Sequence, residues 1–417
     1  MKRKNRICRH LAGMIAFILL IVATRPGAVD ARREAQGSGP GAAFTLIWTE
    51  SCETPPAEAV TTLKYAAGLW GTWLSSTVPI EVSACWTPNL GTGDALGTGM
   101  PTGYIRNFPG APLADTAYPI ALANALNGSD LDPSGVDITL QFKSDVAWSF
   151  VTETLRLAAP ADGEDFVAIA LHELAHGLGF VGNMYESYSV GFCGDGMYGS
   201  LYPCPTPYDW FAVDGTGVPL LSYHAPAVDP RELGTRLESD ANFGGPNTIA
   251  ANGGTAAKLY TPPTFYFGSS LSHLDLTTFE GGENDLMTPV YNGGAARHPG
   301  AVPLAIFQDM GWLRADGAPN VVATGPSVGD VGQTITFAGS LVWPAYAGQP
   351  LTFTWTATDQ MTVTHPGLAA TDGVTFAWNT PGDKRLTLTA TDGVVYASAT
   401  RTFFARIAIF LPLVLRQ

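Results

Sequence analysis

The chain has 417 residues, with 22 Lys and Arg against 36 Asp and Glu, giving a formal net charge of −14. So acidic a protein is not drawn to nucleic acid or to anionic membrane surfaces, which excludes both as partners. The length exceeds what one ordinary core supports, so two domains are expected.

Lys2, Arg3, Lys4, Arg6 and Arg9 precede an apolar run from Leu11 to Ala23 and the small residues Ala28-Val29-Asp30-Ala31. A basic segment, an apolar segment and a small-residue cleavage site predict a secretory signal over residues 1–31, and hence an extracellular protein. The apolar run is too short for stable membrane insertion, and retention at the cell surface is the variant in which the segment stays uncleaved. Its removal takes away six basic residues and one acidic one, leaving 16 and 35 and a net charge of −19. Cys52, Cys85, Cys193 and Cys204 then remain. An even count in an exported chain suggests two disulfides, and the order along the chain favours Cys52–Cys85 and Cys193–Cys204, each closing a local loop. No C-x-x-C spacing supports a four-cysteine zinc site.

Residues 32–43 are polar and rich in Gly and Ala, which suits a flexible leader. Val60, Leu63, Ala67, Trp70 and Leu74 then recur at helical spacing, and Pro79 to Cys85 alternates as a strand does. Residues 88–135 carry Gly, Pro and Ala and assign to no element. Val136 to Phe142 alternates again. After the helix that follows, residues 181–270 are loop-rich, and so long an irregular stretch in a compact domain is usually functional. Val302 to Met310 predicts a short closing helix stopped at Gly311.

The chemistry is concentrated in Leu171-His172-Glu173-Leu174-Ala175-His176-Gly177-Leu178-Gly179-Phe180, an H-E-x-x-H followed by x-x-G. On a helix His172 and His176 share one face and converge on a single metal ion, while Glu173 can take a proton from the attacking water. Asp162 to Asp165 supplies a cap and acidic first-turn residues; Phe166, Ile169, Ala170, Leu174 and Leu178 supply the buried stripe. Gly177 and Gly179 end the helix. Two histidines do not complete a catalytic zinc site, which takes three protein ligands and an open position. The metzincin pattern would set a third histidine at position 182, where this chain has Gly182. The residues alone leave His273, His224, His298 and an acidic ligand such as Glu186 as candidates.

Gly268-Ser269-Ser270-Leu271-Ser272-His273-Leu274-Asp275, followed by Leu286-Met287-Thr288-Pro289, resembles the leishmanolysin-like branch of the metzincins. Ala305-Ile306-Phe307-Gln308-Asp309-Met310-Gly311-Trp312 resembles the end of bacterial catalytic domains of that branch. The resemblance implies an α+β zincin domain over residues 44–316, with His172, His176 and His273 as zinc ligands. It also implies that Glu173 is the general base and Met287 the floor of a methionine turn, with Tyr291 a candidate oxyanion helper. Asp275 and Asp285 are candidates to hold ligands in place or take a structural calcium ion, with solvated loop acids the plainer reading.

Beyond Asp316, Thr334–Phe337, Leu351–Trp355, Val374–Trp378 and Arg385–Thr389 are short alternating strands separated by turns. They predict an all-β sandwich. With Phe353-Thr354-Trp355 and Pro381 to Gly393, the segment 317–405 resembles a polycystic-kidney-disease type immunoglobulin-like module, whose usual roles are spacing and surface or polymer contact. The tail, 406–417, is apolar but too short to span a bilayer. Gly325-Pro326-Ser327-Val328-Gly329 matches the serine hydrolase elbow, but it leads into β structure where that motif needs a helix.

These readings converge on a secreted zinc metalloendopeptidase acting on a protein or peptide substrate. The rivals are a catalytically inactive scaffold that binds a surface or polymer, and a zinc hydrolase of non-peptide amides.

Overall fold

A computed structural model describes residues 34–35, 41–91, 95–152, 163–185, 189–190, 192–193, 202–203, 205–224, 231–290, 297–315, 320–343, 351–368, 371–391 and 396–407. Its first layer is a five-stranded sheet of β1 (Glu34–Ala35), β2 (Phe44–Trp48), β3 (Ile80–Thr87), β4 (Gly97–Pro101) and β5 (Ile138–Lys143). The spatial order is β1-β2-β3-β5-β4, so β4 forms an edge. β2, β3 and β5 run parallel, with Leu46 opposite Val82 and Ala84 opposite Leu140. β4 runs antiparallel to β5, with Gly99 opposite Leu140. Strict alternation in β3 and β5 sends every second side chain into the core, as a period of two requires.

Of the helices α1 (Ala57–Trp73), α2 (Ile120–Asn127) and α3 (Phe166–Gly177), α1 and α3 pack together on this sheet. α3 is apolar along nearly its whole length because it is buried on almost every side. Phe166 at its start meets Trp86, Phe142, Trp148 and Phe150 with ring centroids 4.8 to 5.8 Å apart. Midway, the Trp70 indole donates to the Leu171 carbonyl at 3.0 Å, and at the end the Trp312 indole donates to the Leu178 carbonyl at 3.0 Å. Gly177 lies so close to the sheet that an added Cβ would fall 2.3 Å from Ile138 Cγ2. The helix is pinned at both ends and in the middle.

The N-cap of α3 is Asp165, whose Oδ1 accepts from the Ala168 N–H at 3.2 Å. Asp165 is fully buried, and its charge is met by Arg297, itself 1% exposed, through two bonds of 2.8 Å. A bidentate pair with parallel N–H donors is the strongest geometry available to a carboxylate. Arg297 also donates to the Val151 carbonyl.

Cys52 and Cys85 form a disulfide, closing the chain around α1 across 33 positions. Cys193–Cys204 lies outside the described residues. Among its described residues the 181–270 stretch contains the α-helices α4 (Arg231–Leu237) and α5 (Pro246–Ala251), along with short strands and 3-10 turns. α6 (Leu276–Phe279) and α7 (Ala301–Met310) follow, and α7 stops at Gly311, which takes φ +116. Among the described residues no helix is long and apolar enough to cross a membrane.

Two further sheets complete the chain. One comprises β6 (Asn320–Thr324), β8 (Ile335–Trp343) and β11 (Thr371–Phe376). The other has the order β7 (Val328–Asp330), β13 (Tyr396–Arg406), β12 (Gly382–Thr391), β9 (Leu351–Ala357) and β10 (Val363–Leu368). They share a core of Phe337, Phe353, Trp355, Trp378, Leu386, Leu388 and Phe403. The Gly325–Gly329 segment connects β6 to β7, so a strand and not a helix follows Ser327. The described residues from 34 onward belong to one compact unit. Arg385 joins its two cores, donating to the Trp210 carbonyl at 2.8 Å and lying 4.7 Å over the Phe211 ring.

Removing the Arg297 guanidinium leaves Asp165 charged, buried and unpaired at the start of α3. Arg297→Ala is expected to lower stability by about 3–5 kcal/mol, read from the urea midpoint. A loss smaller than about 1 kcal/mol, the size of an exposed ion pair, would contradict this role.

Candidate metal centre

α3 presents His172 and His176 about one turn apart with Glu173 next to His172, and His273 arrives from a segment 97 positions beyond His176. The three Nε2 atoms converge: His172 to His176 at 3.0 Å, His172 to His273 at 3.1 Å and His176 to His273 at 3.2 Å. Each ring is oriented by its other nitrogen. His172 Nδ1 donates to the Leu286 carbonyl at 2.6 Å, His176 Nδ1 to the Phe180 carbonyl at 2.7 Å and His273 Nδ1 to the Ser269 carbonyl at 2.8 Å.

A carbonyl only accepts, so each Nδ1 carries the proton and each Nε2 presents a lone pair. Three lone pairs facing one another without a proton between them repel, and a cation at their centre removes that repulsion. Tetrahedral zinc with Zn–N bonds of about 2.0–2.1 Å sets ligand nitrogens about 3.3–3.4 Å apart, close to the separations found. Donor type, tautomer and spacing all fit the ion. Among the described residues this trio is the one group of histidine, cysteine or carboxylate side chains gathered closely enough to hold a metal. His176 and His273 are buried and His172 is partly exposed, which leaves the cluster approachable from one side.

Burial sets the protonation states. It lowers the pKa of His172, takes that of His176 down to about 3 and depresses that of His273 well below the ordinary value, with mutual repulsion among the rings adding to the last two. The imidazoles are therefore neutral at pH 7, as ligation needs. Burial pushes Glu173 up to about 8, opposed by a hydrogen bond from the Gly99 N–H. A carboxylate so raised holds a proton readily, and a nearby cation would bring its pKa back toward neutrality.

Glu173 lies against the edge strand β4. An added Cβ at Gly97 would fall 2.9 Å from Glu173 Cγ, and one at Gly99 would fall 2.0 Å from the Glu173 carbonyl oxygen. Only glycine lets this strand come close enough to bond the carboxylate. Met287 is fully buried in the turn Asp285–Met287. The Met287 carbonyl accepts from Leu274 N–H at 2.8 Å while the preceding carbonyl orients His172, so this turn supports both halves of the trio.

Gly182, where the metzincin spacing would set a histidine, has no room for one. A Cβ there would fall 2.5 Å from Leu271 Cδ2, and the Gly182 N–H donates to Ser272 Oγ at 3.1 Å. The segment bearing His273 occupies the space that a side chain at 182 would need.

His298 is partly buried and stands outside the trio. His365, in β10, bonds Asp372 at 2.8 Å. Asp275 caps α6, accepting from the Thr278 N–H at 3.0 Å, and the Asp285 carbonyl accepts from Thr288 at 3.0 Å. Tyr291, Glu186, Cys204 and the side chains of His224 and Cys193 lie outside the described residues. The three orienting carbonyls, the glycines of β4 and Arg297 escaped the sequence reading. A Gly-x-Gly pair beside a helix is the one such feature with a trace in sequence.

No family model matches the chain, and no curated protein matches it. Among solved structures, the sulfur carrier protein SoxY from Chlorobium limicola f thiosulfatophilum is 11% identical over 21% of this chain and 79% of its own, with a TM-score of 0.18. An endo-beta-1,4-mannanase from Thermotoga petrophila is 10% identical over 31% of this chain and 30% of its own, also at a TM-score of 0.18.

The depressed histidine pKa values carry a pH signature. Well above pH 6.5 the rings are neutral in folded and unfolded chains and contribute little to pH dependence. As pH falls from 6.5 toward 3, the unfolded chain takes up protons that the folded one refuses, so these rings destabilise the metal-free fold progressively. In the folded chain burial weakens proton competition for all three Nε2 lone pairs, most strongly at His176 and His273. Zinc affinity, measured by calorimetry from pH 7.5 to 5.5, should begin to fall only below the ordinary imidazole value. A steep fall beginning at the ordinary imidazole value of about 6.5 would contradict the buried geometry.

Proposed function

We propose that this chain is a secreted zinc metalloendopeptidase with a zincin-type catalytic fold of the leishmanolysin-like kind. The observation that carries the reading is the trio itself: three neutral imidazoles with Nε2 atoms 3.0 to 3.2 Å apart, beside a buried Glu173 that is not one of them. When bound, a zinc ion supplies Lewis acidity, polarising the scissile carbonyl and lowering the pKa of water at the site.

His172, His176 and His273 hold the metal, and their carbonyl partners keep the rings from rotating. Glu173 takes the proton of the attacking water and returns it to the leaving amine nitrogen, so that one carboxylate serves as base and then acid. The Gly99 N–H keeps that carboxylate aimed, and burial acts to raise its proton affinity, which favours the return step.

The setting of Glu173 favours a peptide over other amides. β4 is an edge strand running past the base, with Met100 57% exposed on it. An extended peptide can add to such an edge by main-chain hydrogen bonds while alternate side chains meet its surroundings. Export is supported by the basic and apolar N-terminal segment and by the Cys52–Cys85 disulfide, a bond that persists in oxidising compartments.

Glu173→Gln keeps the shape of the side chain and removes its basicity. The variant should bind zinc one to one and lose about two to four orders of magnitude in casein cleavage, the range for removal of a general acid–base group. An empty variant would make Glu173 a ligand, and a fully active one would remove it from the chemistry.

A further inference from the structure

The third histidine stands on backbone that a free loop would not adopt. Leu271, two residues before His273, has φ +67, the left-handed region in which a Cβ is crowded. It is nonetheless 1% exposed and tied on every side. Its carbonyl accepts from the Tyr208 hydroxyl at 2.9 Å, and its N–H donates to the Tyr260 carbonyl at 2.9 Å. Its side chain fills the space over Gly182. The Tyr260 N–H donates in turn to the His273 carbonyl at 2.9 Å, so two backbone bonds bracket the turn.

Tyr208 also reaches the other half of the trio. Its ring packs against Phe180 with centroids 5.3 Å apart, and Phe180 supplies the carbonyl that orients His176. Tyr208 is fully buried, and the neighbouring Asp209 accepts from the Asn183 N–H at 2.9 Å, fastening the chain just past Gly182. One side chain therefore touches the supports of two ligands that are distant in sequence.

We propose that Tyr208, Leu271 and Gly182 are positioning residues for the metal: they clamp residues 271–273 in a left-handed turn that aims His273 Nε2 at those of His172 and His176. The clamp rests on the three-histidine metal reading above and extends it to residues that touch no ligand atom. It accounts for Gly182 as half of a packed pair whose partner, Leu271, carries the replacement ligand's backbone. Strain held in place by surrounding contacts is a recurring way of pre-setting a site.

The test uses the full chain, with zinc affinity measured by chelator competition and the melting temperature and circular dichroism of the metal-free protein measured alongside. Tyr208→Phe keeps the ring and removes one hydroxyl. It should weaken zinc about tenfold, the lower end for loss of an outer partner of a metal ligand, with an unchanged circular dichroism spectrum. Gly182→Ala should also weaken zinc. Because its clash is with Leu271 Cδ2, combining it with Leu271→Ala should be no worse than Leu271→Ala alone.

Strict additivity of that pair would overturn the clamp. So would a Tyr208→Phe variant that melts earlier but binds zinc as the parent does, since that marks a structural role only. If Tyr208→Phe fails to fold, the Gly182 and Leu271 pair decides. His273→Ala separates the two levels. If it binds zinc normally, the metal reading itself fails; if it loses zinc while Tyr208→Phe and Gly182→Ala do not, the metal reading stands and the clamp falls.

Discussion

Three imidazole lone pairs held 3.0 to 3.2 Å apart in a largely buried setting are a costly arrangement on which the rest of the site depends. Nothing about it is self-stabilising without a cation, because three acceptors at that distance repel and burial removes the water that would screen them. The surrounding structure is what holds them together. Each ring is tied by its Nδ1 to a backbone carbonyl, and those carbonyls lie at 180, 269 and 286, outside the helix that carries two of the rings. The helix is anchored by an aromatic cluster at its start, the Trp70 indole at its middle and the Trp312 indole at its end. A scaffold so arranged gives up stability to keep three ligand atoms gathered where they could hold a metal ion.

Much of this was legible in the chain and some was not, for physical reasons. The α3 motif was legible because ligand geometry on a helix demands a fixed spacing of four, and because a buried helix must also carry an apolar stripe. The parallel strands β3 and β5 were legible because half-buried strands alternate. β4 was not: its residues Gly97-Thr98-Gly99-Met100-Pro101 have none of the β-branched or aromatic character of a strand, since close approach to Glu173 forbids a Cβ. The orienting carbonyls belong to backbone and leave no residue signature. Arg297 could not be paired with Asp165 from the sequence, because 132 positions separate them.

His273 illustrates the boundary between the two kinds of reading. The residue pattern around it left His224, His298 and Glu186 open, and only a resemblance singled it out. In three dimensions its Nε2 meets the other two, and Gly182 is seen to be a glycine because Leu271 needs the space. The C-terminal sheets show the converse. Their alternating strands were evident, but the Arg385 contact with Trp210 and Phe211 was not, since a lone arginine on a strand gives no hint of insertion into another core. Burial lowers its pKa to about 10, so it remains a cation at neutral pH over the Phe211 ring.

As proposed, His172, His176 and His273 hold one zinc ion with a position left open. X-ray absorption at the zinc edge of protein loaded with one equivalent reads that directly. Three imidazole nitrogens and one further light-atom ligand are expected at about 2.0–2.1 Å, with no sulfur in the shell. A sulfur scatterer at about 2.3 Å, or a shell with fewer than three imidazoles, would contradict it.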